Sequence, residues 1–246
     1  SFTNVSCLGG NDGSATASAT GGTGTLTFTW PSSTGATANN LTAGTYIVTV
    51  TDANGCTDTA SVVIDEPATG LSVIASLDSN ASCNGLNDGG ATAVASGGTG
   101  TIVYTWNTGA NGAALNGVPA GIYTVVVSDA GSCTATDTVL ISEPTPVVGV
   151  IDSTTNPSCP GLADGAAAVH GTGGSGTYSY AWPSSNTGAN EVGLADGTYC
   201  VTITDAVGCE DTLCVNITDP AGMTNSFTNI SNTSCTVCDG DATTNP

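Results

Sequence analysis

The sequence predicts an all-β protein built from tandem β-sandwich repeats of about 76 residues. One cysteine and one tryptophan return at this interval, which indicates a single structural unit used several times. Within a unit, apolar and polar residues alternate, turns rich in Gly and Asn separate the alternating runs, and no stretch shows helical periodicity. The recurring residues are Cys7, Cys83, Cys159 and Cys235 (83 − 7, 159 − 83 and 235 − 159 are each 76) and Trp30, Trp106 and Trp182.

The first unit shows the predicted elements in order. Leu26–Trp30 alternates strictly, Tyr46–Thr51 alternates more loosely, and Ser61–Ile64 is a shorter run, so each is predicted to be a strand. Their Thr, Val, Ile and Tyr residues suit a pleated, half-buried surface. The first strand of the second unit is predicted at Leu71–Leu77. We expect about six or seven short strands in each unit, arranged as a sandwich.

An acidic residue followed by proline closes each unit. Proline removes a backbone donor and restricts the residue before it, which suits the exit from a terminal strand. The next strand follows within a few residues, so we expect the units to form a semi-rigid rod. The pairs are Glu66-Pro67, Glu143-Pro144 and Asp219-Pro220, which gives repeats 1–67, 68–144 and 145–220 and an incomplete fourth unit, 221–246.

A motif of Leu or Val followed by x-x-Gly-x-Tyr precedes a late strand of each unit, beginning at Leu41, Val118 and Leu194. It resembles the corner of immunoglobulin-like domains in which a tyrosine hydroxyl bonds back to the loop before its strand. The repeats are therefore predicted to be immunoglobulin-like, with one tryptophan per unit in the core. The alternative for the tyrosines and tryptophans is a platform that binds surface glycans. The motif tyrosines are Tyr46, Tyr123 and Tyr199.

The chain carries 20 acidic residues and no Lys or Arg, a formal net charge of −20. Nothing in it neutralises phosphates, so nucleic acid and anionic lipid surfaces are excluded as partners. No segment reaches the roughly 18 apolar residues needed to cross a bilayer, so direct membrane insertion is not expected. Ten cysteines favour disulfides in an oxidising, extracellular compartment. Ser1 begins within repeat-like sequence, so we expect a processed product or a window of a longer chain.

The repeated cysteines allow two patterns of pairing. The preferred pattern closes a loop of about 50 residues inside each unit, worth roughly 4 kcal/mol on the chain-entropy model. Strict immunoglobulin topology opposes it, because the loop with Cys7 and the turn with Cys56 then lie at opposite ends of the sandwich. The alternative joins neighbouring units. The first pattern is Cys7–Cys56, Cys83–Cys133 and Cys159–Cys209, and the second is Cys7–Cys133 and Cys83–Cys209.

Two further pairs of cysteines have contexts of their own. Cys200 and Cys214 flank Val207 symmetrically, so a hairpin places them opposite each other and favours a cross-strand disulfide. Cys235 and Cys238 have a CxxC spacing, but neither a thioredoxin-like βαβ setting nor a second pair of zinc ligands accompanies them. A local structural bond, or partners further along the chain, is expected for this second pair.

The sequence offers no catalytic constellation. His170 is the only histidine, so at most one unit could hold a Ser–His–Asp triad, and an exposed strand end is its expected place. The Gly-rich turns lack the helix and the lysine of a phosphate loop. We therefore predict that the protein is not an enzyme.

Acidic residues recur at fixed places and raise the question of calcium. Calcium prefers carboxylate and carbonyl oxygens in loops, and it would stiffen the junctions between units. The alternative is that each Asp caps a turn through its own side chain. The recurring acids are Asp12, Asp88 and Asp164, then Asp52, Asp129 and Asp205, together with the junction acids Glu66, Glu143 and Asp219.

The order of these motifs resembles a known family. CLGGNDGSATASATGGTGTLTFTW, LTAGTYIVTVTDANGCTDTASVVIDEP and their two echoes look like the SprB-type repeat of large Bacteroidota surface adhesins, including gliding-motility adhesins. The resemblance covers the three full units and the start of the fourth, which departs from the pattern with CTVCDGDAT. It implies an extracellular β-sandwich, export by the type IX pathway and a role in adhesion or motility.

Bacteroidota also attach O-glycans at Asp followed by Ser or Thr and then a small apolar residue or Thr. Three matches fall at equivalent places of the three units, and a fourth lies at Asp152–Thr154. Glycans at these places would add a hydrated coat and resistance to proteases. The acceptors implied by the resemblance are Thr59, Thr138, Thr212 and Ser153.

Two functions follow from these observations. The first is a stalk segment of a long surface adhesin, whose partners are neighbouring repeats. The second is a self-assembling filament subunit, in which copies of the chain join by strand addition or by inter-unit disulfides. A glycan-binding module is a third and less favoured interpretation, since it requires exposed aromatic side chains.

Overall fold

The computed structural model describes residues 1–222, 227–230 and 242–244, and every regular element within them is a β-strand. The all-β prediction is therefore confirmed. The chain divides into two compact units, Ser1–Glu143 and Pro144–Pro246, and each is described by itself. The first unit contains the first two repeats. The second contains the third repeat and a two-stranded pair, Phe227–Ile230 with Ala242–Thr244.

Each of the three repeats contains six strands, which lies within the predicted number. In the first repeat they are β1 (Phe2–Thr3), β2 (Gly13–Thr16), β3 (Thr27–Thr29), β4 (Thr37–Leu41), β5 (Gly44–Thr51) and β6 (Thr57–Ile64). In the second they are β7 (Ser72–Ser79), β8 (Gly89–Ser96), β9 (Val103–Trp106), β10 (Ala114–Val118), β11 (Gly121–Ser128) and β12 (Thr134–Ile141). In the third they are β13 (Val148–Thr155), β14 (Gly165–Thr172), β15 (Ser179–Ala181), β16 (Asn190–Leu194), β17 (Gly197–Thr204) and β18 (Glu210–Ile217).

The strands of each repeat form two three-stranded antiparallel sheets. The first, second and fourth strands make one sheet, and the third, fifth and sixth make the other. This is the A-B-E and C-F-G arrangement of an immunoglobulin-like domain that lacks a D strand. The longest hairpin joins the fifth and sixth strands, as in the register of β11 and β12 from Gly121 opposite Ile141 to Ser128 opposite Thr134. The immunoglobulin-like fold class is confirmed.

Side chains from both sheets of the second repeat meet in one core. Ala91 from one sheet packs with Val125 and Ile141 from the other around Trp106, which is 1 % exposed. The indole N–H of Trp106 donates to the carbonyl oxygen of Gly112 at 3.1 Å, so its polar atom is satisfied inside the core. The tryptophan is a core residue, as predicted, and presents no platform to a sugar. Trp30 and Trp182 are buried in the same way and bond to Gly35 and Gly188.

The tyrosine of each of these three Gly-x-Tyr motifs bonds back to the loop before its strand. In the second repeat the hydroxyl of Tyr123 donates to the carbonyl oxygen of Pro119 at 2.8 Å. This bond fixes the corner at which the chain crosses from β10 in one sheet to β11 in the other. The predicted tyrosine corner is confirmed. The same bond joins Tyr46 to Thr42 and Tyr199 to Ala195.

The first strand differs in length among the repeats. β7 and β13 have eight residues each, whereas β1 has two. In the second repeat, Leu71 directly before β7 and Val73 and Ala75 within β7 pack against the core. In the first repeat, Val5, Ala15 and Ile64 pack around Trp30 in the core.

Candidate functional site at the repeat junction

Two recurring loops carry the repeated cysteines. We call the loop between the first and second strands the first-cysteine loop (residues 4–12, 80–88 and 156–164). We call the turn between the fifth and sixth strands the second-cysteine turn (residues 52–56, 129–133 and 205–209). Asp52 of this turn accepts a hydrogen bond from Thr23, which lies in the Gly-rich loop after β2. Since the first-cysteine loop enters β2 at its other end, the two cysteines of one repeat lie at opposite ends of the sandwich.

The first-cysteine loop is held by two carboxylates. In the first repeat the backbone N–H of Ser6 donates to Asp12 at 3.0 Å, and the Ser6 hydroxyl donates to the other carboxylate oxygen. Gly9 N–H donates to Glu66, the junction acid, at 2.6 Å. The hydroxyl and N–H bonds from Ser6 hold the pKa of Asp12 below its usual value. The same contacts join Ser82 to Asp88, Gly85 to Glu143, Ser158 to Asp164 and Gly161 to Asp219.

A second set of aspartates holds the second-cysteine turn. Asp129 is buried and accepts N–H bonds from Thr99 at 2.7 Å and from Cys133 at 2.9 Å, so it ties the Gly-rich loop to the turn. These bonds, that from Thr99 foremost, lower the pKa of Asp129. At Asp205 burial acts to raise the pKa, and backbone bonds from Cys209 and Ser175 outweigh it. Asp52 is bonded in the same way by Cys56 and Thr23.

The hydrogen bonds of the recurring aspartates are those of turn capping. The oxygens of the recurring aspartates accept bonds from N–H and O–H donors of their own loops. Within residues 1–222, no group of three His, Cys, Asp or Glu side chains is placed to hold a metal ion. The recurring acids act as internal clamps on the two cysteine-bearing loops.

These clamps predict how stability changes with acid. A carboxylate whose pKa is lowered in the folded state stabilises fully above its unfolded value of about 3.9, and this stabilisation is lost as the pH falls through the folded pKa. We expect the urea midpoint of the whole chain to stay level from pH 7 to about pH 4.5 and to fall below about pH 4. The pKa-lowered groups are Asp12, Asp52, Asp88, Asp129, Asp137, Asp164 and Asp205.

The matched control is Asp129→Asn. The amide keeps the shape of the side chain but replaces one accepting oxygen by a donor. The urea midpoint of the variant at pH 7 should therefore be lower than that of the unaltered chain, and its further fall below about pH 4 should be smaller. Circular dichroism during urea unfolding measures both. A midpoint that already declines between pH 7 and pH 5.5 contradicts the clamping role of these carboxylates.

A disulfide joins the first two repeats. Cys7 in the first-cysteine loop of repeat 1 is bonded to Cys133 in the second-cysteine turn of repeat 2, with Cα atoms 5.6 Å apart. The preferred pairing within units is therefore wrong, because each sandwich separates its own two cysteines by its full length. The alternative pairing of neighbouring units is confirmed for this bond. The expected bonds that the structure contradicts are Cys7–Cys56, Cys83–Cys133 and Cys159–Cys209.

A close backbone approach, which sequence reasoning missed, accompanies the disulfide. A Cβ atom added at Gly131 would lie 2.9 Å from the carbonyl oxygen of Ser6 in the first repeat. Gly131 therefore leaves room for the backbone of the neighbouring repeat. The signal was present as a departure from the repeat pattern, since Asn54 and Val207 occupy the equivalent positions in the other two turns.

The remaining cysteines fall into four groups. Cys200 and Cys214 lie opposite each other on β17 and β18 and are bonded, so the predicted cross-strand disulfide is present. Cys56 and Cys159 are exposed and carry no disulfide within the described residues. Cys83 and Cys209 are also disulfide-bonded. The bond Cys83–Cys209, which the second pattern of pairing gives, stays a prediction. Cys235 and Cys238 lie outside the described residues.

The other sequence-predicted residues lie on the surface. The four implied glycan acceptors, Thr59, Thr138, Thr212 and Ser153, are all exposed. His170 is exposed on β14, and its Nδ1 lies 2.6 Å from a carboxylate oxygen of Asp152. Such an exposed pair contributes little to stability, about 0–1 kcal/mol. No helix in the described residues is long and apolar enough to cross a membrane.

Comparison with known proteins finds a family model that matches part of each repeat. The family model of the SprB repeat matches residues 1–37, 79–111 and 151–187, one stretch in each repeat. The resemblance noted from the motifs is confirmed on these stretches. A search of curated proteins found no match.

A search of solved structures returns matches of low sequence identity. The N-terminal eight Ig domains of Down Syndrome Cell Adhesion Molecule are 12% identical, with a TM-score of 0.38 over 78% of this chain and 32% of that one. Drosophila OTK extracellular domains 3–5 are 10% identical, with a TM-score of 0.27 over 78% and 85% of the two chains. The insect immune protein hemolin is 11% identical, with a TM-score of 0.28 over 71% and 55%. This chain thus spans about a third of the Down Syndrome Cell Adhesion Molecule fragment.

The SprB repeats and the disulfides together indicate an extracellular or surface protein. Within residues 1–220 the chain consists of three consecutive immunoglobulin-like β-sandwiches, each of which matches the SprB repeat along one stretch.

Proposed function

We propose that this chain is a structural repeat segment of a long extracellular adhesin that serves cell-surface attachment or gliding motility. In this role the sandwiches hold a distal binding region away from the cell, and the segment itself has neither a catalytic nor a ligand site. The observation that carries the proposal is the disulfide between Cys7 and Cys133, which joins one sandwich to the next. The clamps formed by the recurring acids support it, because they hold the two loops that meet at this junction.

The finer features belong to the same proposal. The repeats end at residues 67, 144 and 220, and the parent protein is exported by the type IX pathway to the outer surface of the cell. O-glycans at Thr59, Thr138, Thr212 and Ser153 coat the stalk, which their exposure permits. The burial of the three tryptophans argues against a glycan-binding platform.

A replacement experiment in the producing cell tests the stalk function. Residues 1–220 are exchanged for unrelated immunoglobulin-like sandwiches of the same number, and a second strain has them deleted. We expect the replacement to keep attachment and gliding near the normal level and the deletion to reduce both, since a stalk supplies only length. If the replacement fails as completely as the deletion, the repeats themselves bind something and the proposal is wrong.

The alternative is a filament subunit, in which copies of this chain join by strand addition or by inter-unit disulfides. The mass of the native polypeptide, reduced and denatured, separates the two functions. An adhesin gives a single chain of several hundred kilodaltons, whereas a filament subunit gives a product near 23.8 kDa plus glycan.

A further inference from the structure

One sheet of the second repeat turns exposed aliphatic side chains and no charge to its outer side. Ile122 and Leu140 lie opposite each other on β11 and β12, and they are 69 % and 63 % exposed. Val103 and Val126 are exposed on the same side of this sheet. We propose that this surface, which we call the aliphatic face, binds the same face of a second copy of the chain. The aliphatic face consists of Val103, Thr105, Ile122, Thr124, Val126, Ser128, Thr134, Thr136, Thr138 and Leu140.

The fold does not require aliphatic residues at these four positions. The same sheet forms in the first and third repeats, where the counterparts of Ile122, Leu140, Val126 and Val103 are polar at seven of eight places. In the third repeat the hydroxyl of Thr198 donates to the side-chain oxygen of Asn216 at the place of the Ile122 and Leu140 pair. The aliphatic residues of the second repeat therefore have a role other than forming the sheet. The counterparts are Thr45, Val63, Thr49 and Thr27 in the first repeat and Thr198, Asn216, Thr202 and Ser179 in the third.

The charge of the chain selects a second copy as the partner. With 20 acidic residues and no Lys or Arg, two copies repel each other wherever their carboxylates meet. None of the ten residues of the aliphatic face is charged, so two such faces meet without bringing carboxylates together. The corresponding face of the third repeat carries Glu210 at the place of Thr134. A sugar is a poorer partner, since none of the ten residues is aromatic.

The area of the aliphatic face sets the strength of the contact. Three strands, the longer two of eight residues each, cover roughly 300–400 Å², below the roughly 800 Å² per partner of a standard interface. The same face is used on both copies, so the contact is two-fold and closes on itself. Two chains therefore associate weakly. Adhesin chains lying side by side gain strength by making many such contacts at once.

One of the proposed glycan acceptors lies within the aliphatic face. Thr138 pairs with Thr124 and stands two residues before Leu140 on β12. A sugar on Thr138 would hold a second copy away, so the contact is made by chains that are unmodified there. The inference goes beyond the stalk function and is tested on the purified, unmodified chain, so either can fail without the other.

Sedimentation equilibrium of the full 246-residue chain tests the contact, after its free thiols are blocked with iodoacetamide to exclude covalent linkage. Because the contact is weak, chain concentrations up to about 0.5 mM are used. We expect a monomer–dimer equilibrium. Raising NaCl from about 50 mM to about 500 mM screens the repulsion between the copies, so the dimer fraction should rise. A chain that stays monomeric at both salt concentrations overturns the proposal.

Matched variants locate the contact on the aliphatic face. Ile122→Asp brings two opposed carboxylates into each contact and should raise the dissociation constant by about tenfold or more. Ile74→Asp is the control, because Ile74 is 67 % exposed on β7 in the other sheet of the same repeat, and it should leave the constant unchanged. Ile122→Thr/Leu140→Asn copies the third repeat, adds no charge and should also weaken the dimer. If Ile74→Asp weakens the dimer as much as Ile122→Asp does, the aliphatic face is not the site of contact and the proposal is wrong.

Discussion

Replacing Trp106 by alanine is expected to lower the free energy of unfolding of the second repeat by about 3–5 kcal/mol, as for other large-to-small changes at buried aromatic sites. The indole lies 1 % exposed between the two sheets and packs with Val125 and Ile141. Its removal also leaves the carbonyl oxygen of Gly112 without its N–H donor. A loss of this size is comparable to much of the stability of a small domain.

Hydrogen exchange of the whole chain, followed by mass spectrometry, measures this loss where it occurs. Protection should fall along β9, β11 and β12 and stay unchanged in β14 and β17 of the other compact unit. Trp106→Phe is the matched control, because it retains much of the packing and removes the N–H, and its effect should be clearly smaller. Equal losses from both variants would show that packing at this site is not the main source of stability.

The double variant Cys7→Ser/Cys133→Ser is expected to uncouple the first two repeats. The bond spans a sequence separation of 126 residues. The chain-entropy model gives such a closure up to about 5 kcal/mol. Because the bond joins two sandwiches, its loss should appear as two separate melting transitions in place of one shared transition. Differential scanning calorimetry of the whole chain follows this directly.

The control for the uncoupling is the other bonded pair. Cys200→Ser/Cys214→Ser opens a closure of only 14 residues within one hairpin, so it should lower only the transition of the third repeat. If removing the inter-repeat bond leaves the pattern of transitions unchanged, the two sandwiches are coupled by other contacts, and the disulfide is not what unites them.

The fold was predictable because its signals are local. Alternation in Leu26–Trp30 and the motif at Tyr46 identified strands and a corner that the structure contains. The last strand was predicted too short, as Ser61–Ile64, whereas β6 begins at Thr57. Its first residues are polar and exposed, and they become a strand because they pair with the whole length of β5. Pairing with a neighbour, which a single segment does not reveal, sets its length.

The disulfide pattern was not predictable from spacing alone. Nearness in sequence favoured bonds within a unit, but the sandwich places its two cysteine-bearing loops at opposite ends. The topological argument against Cys7–Cys56 was therefore the better guide. Gly131 escaped notice because glycine is common in every turn of this chain, and only the approach of Ser6 from another repeat gives this one a role.

The bond between Cys7 and Cys133 has a mechanical consequence. A pulling load applied at the two ends of the first compact unit passes through this covalent link, so the chain between the two cysteines does not lengthen even if both sandwiches unfold. The separation of 126 residues corresponds to roughly 400 Å of extended chain that stays hidden until the sulfur–sulfur bond is reduced. An adhesin built on such links would keep a nearly constant reach under drag from flowing liquid, and its extensibility would be set by redox conditions.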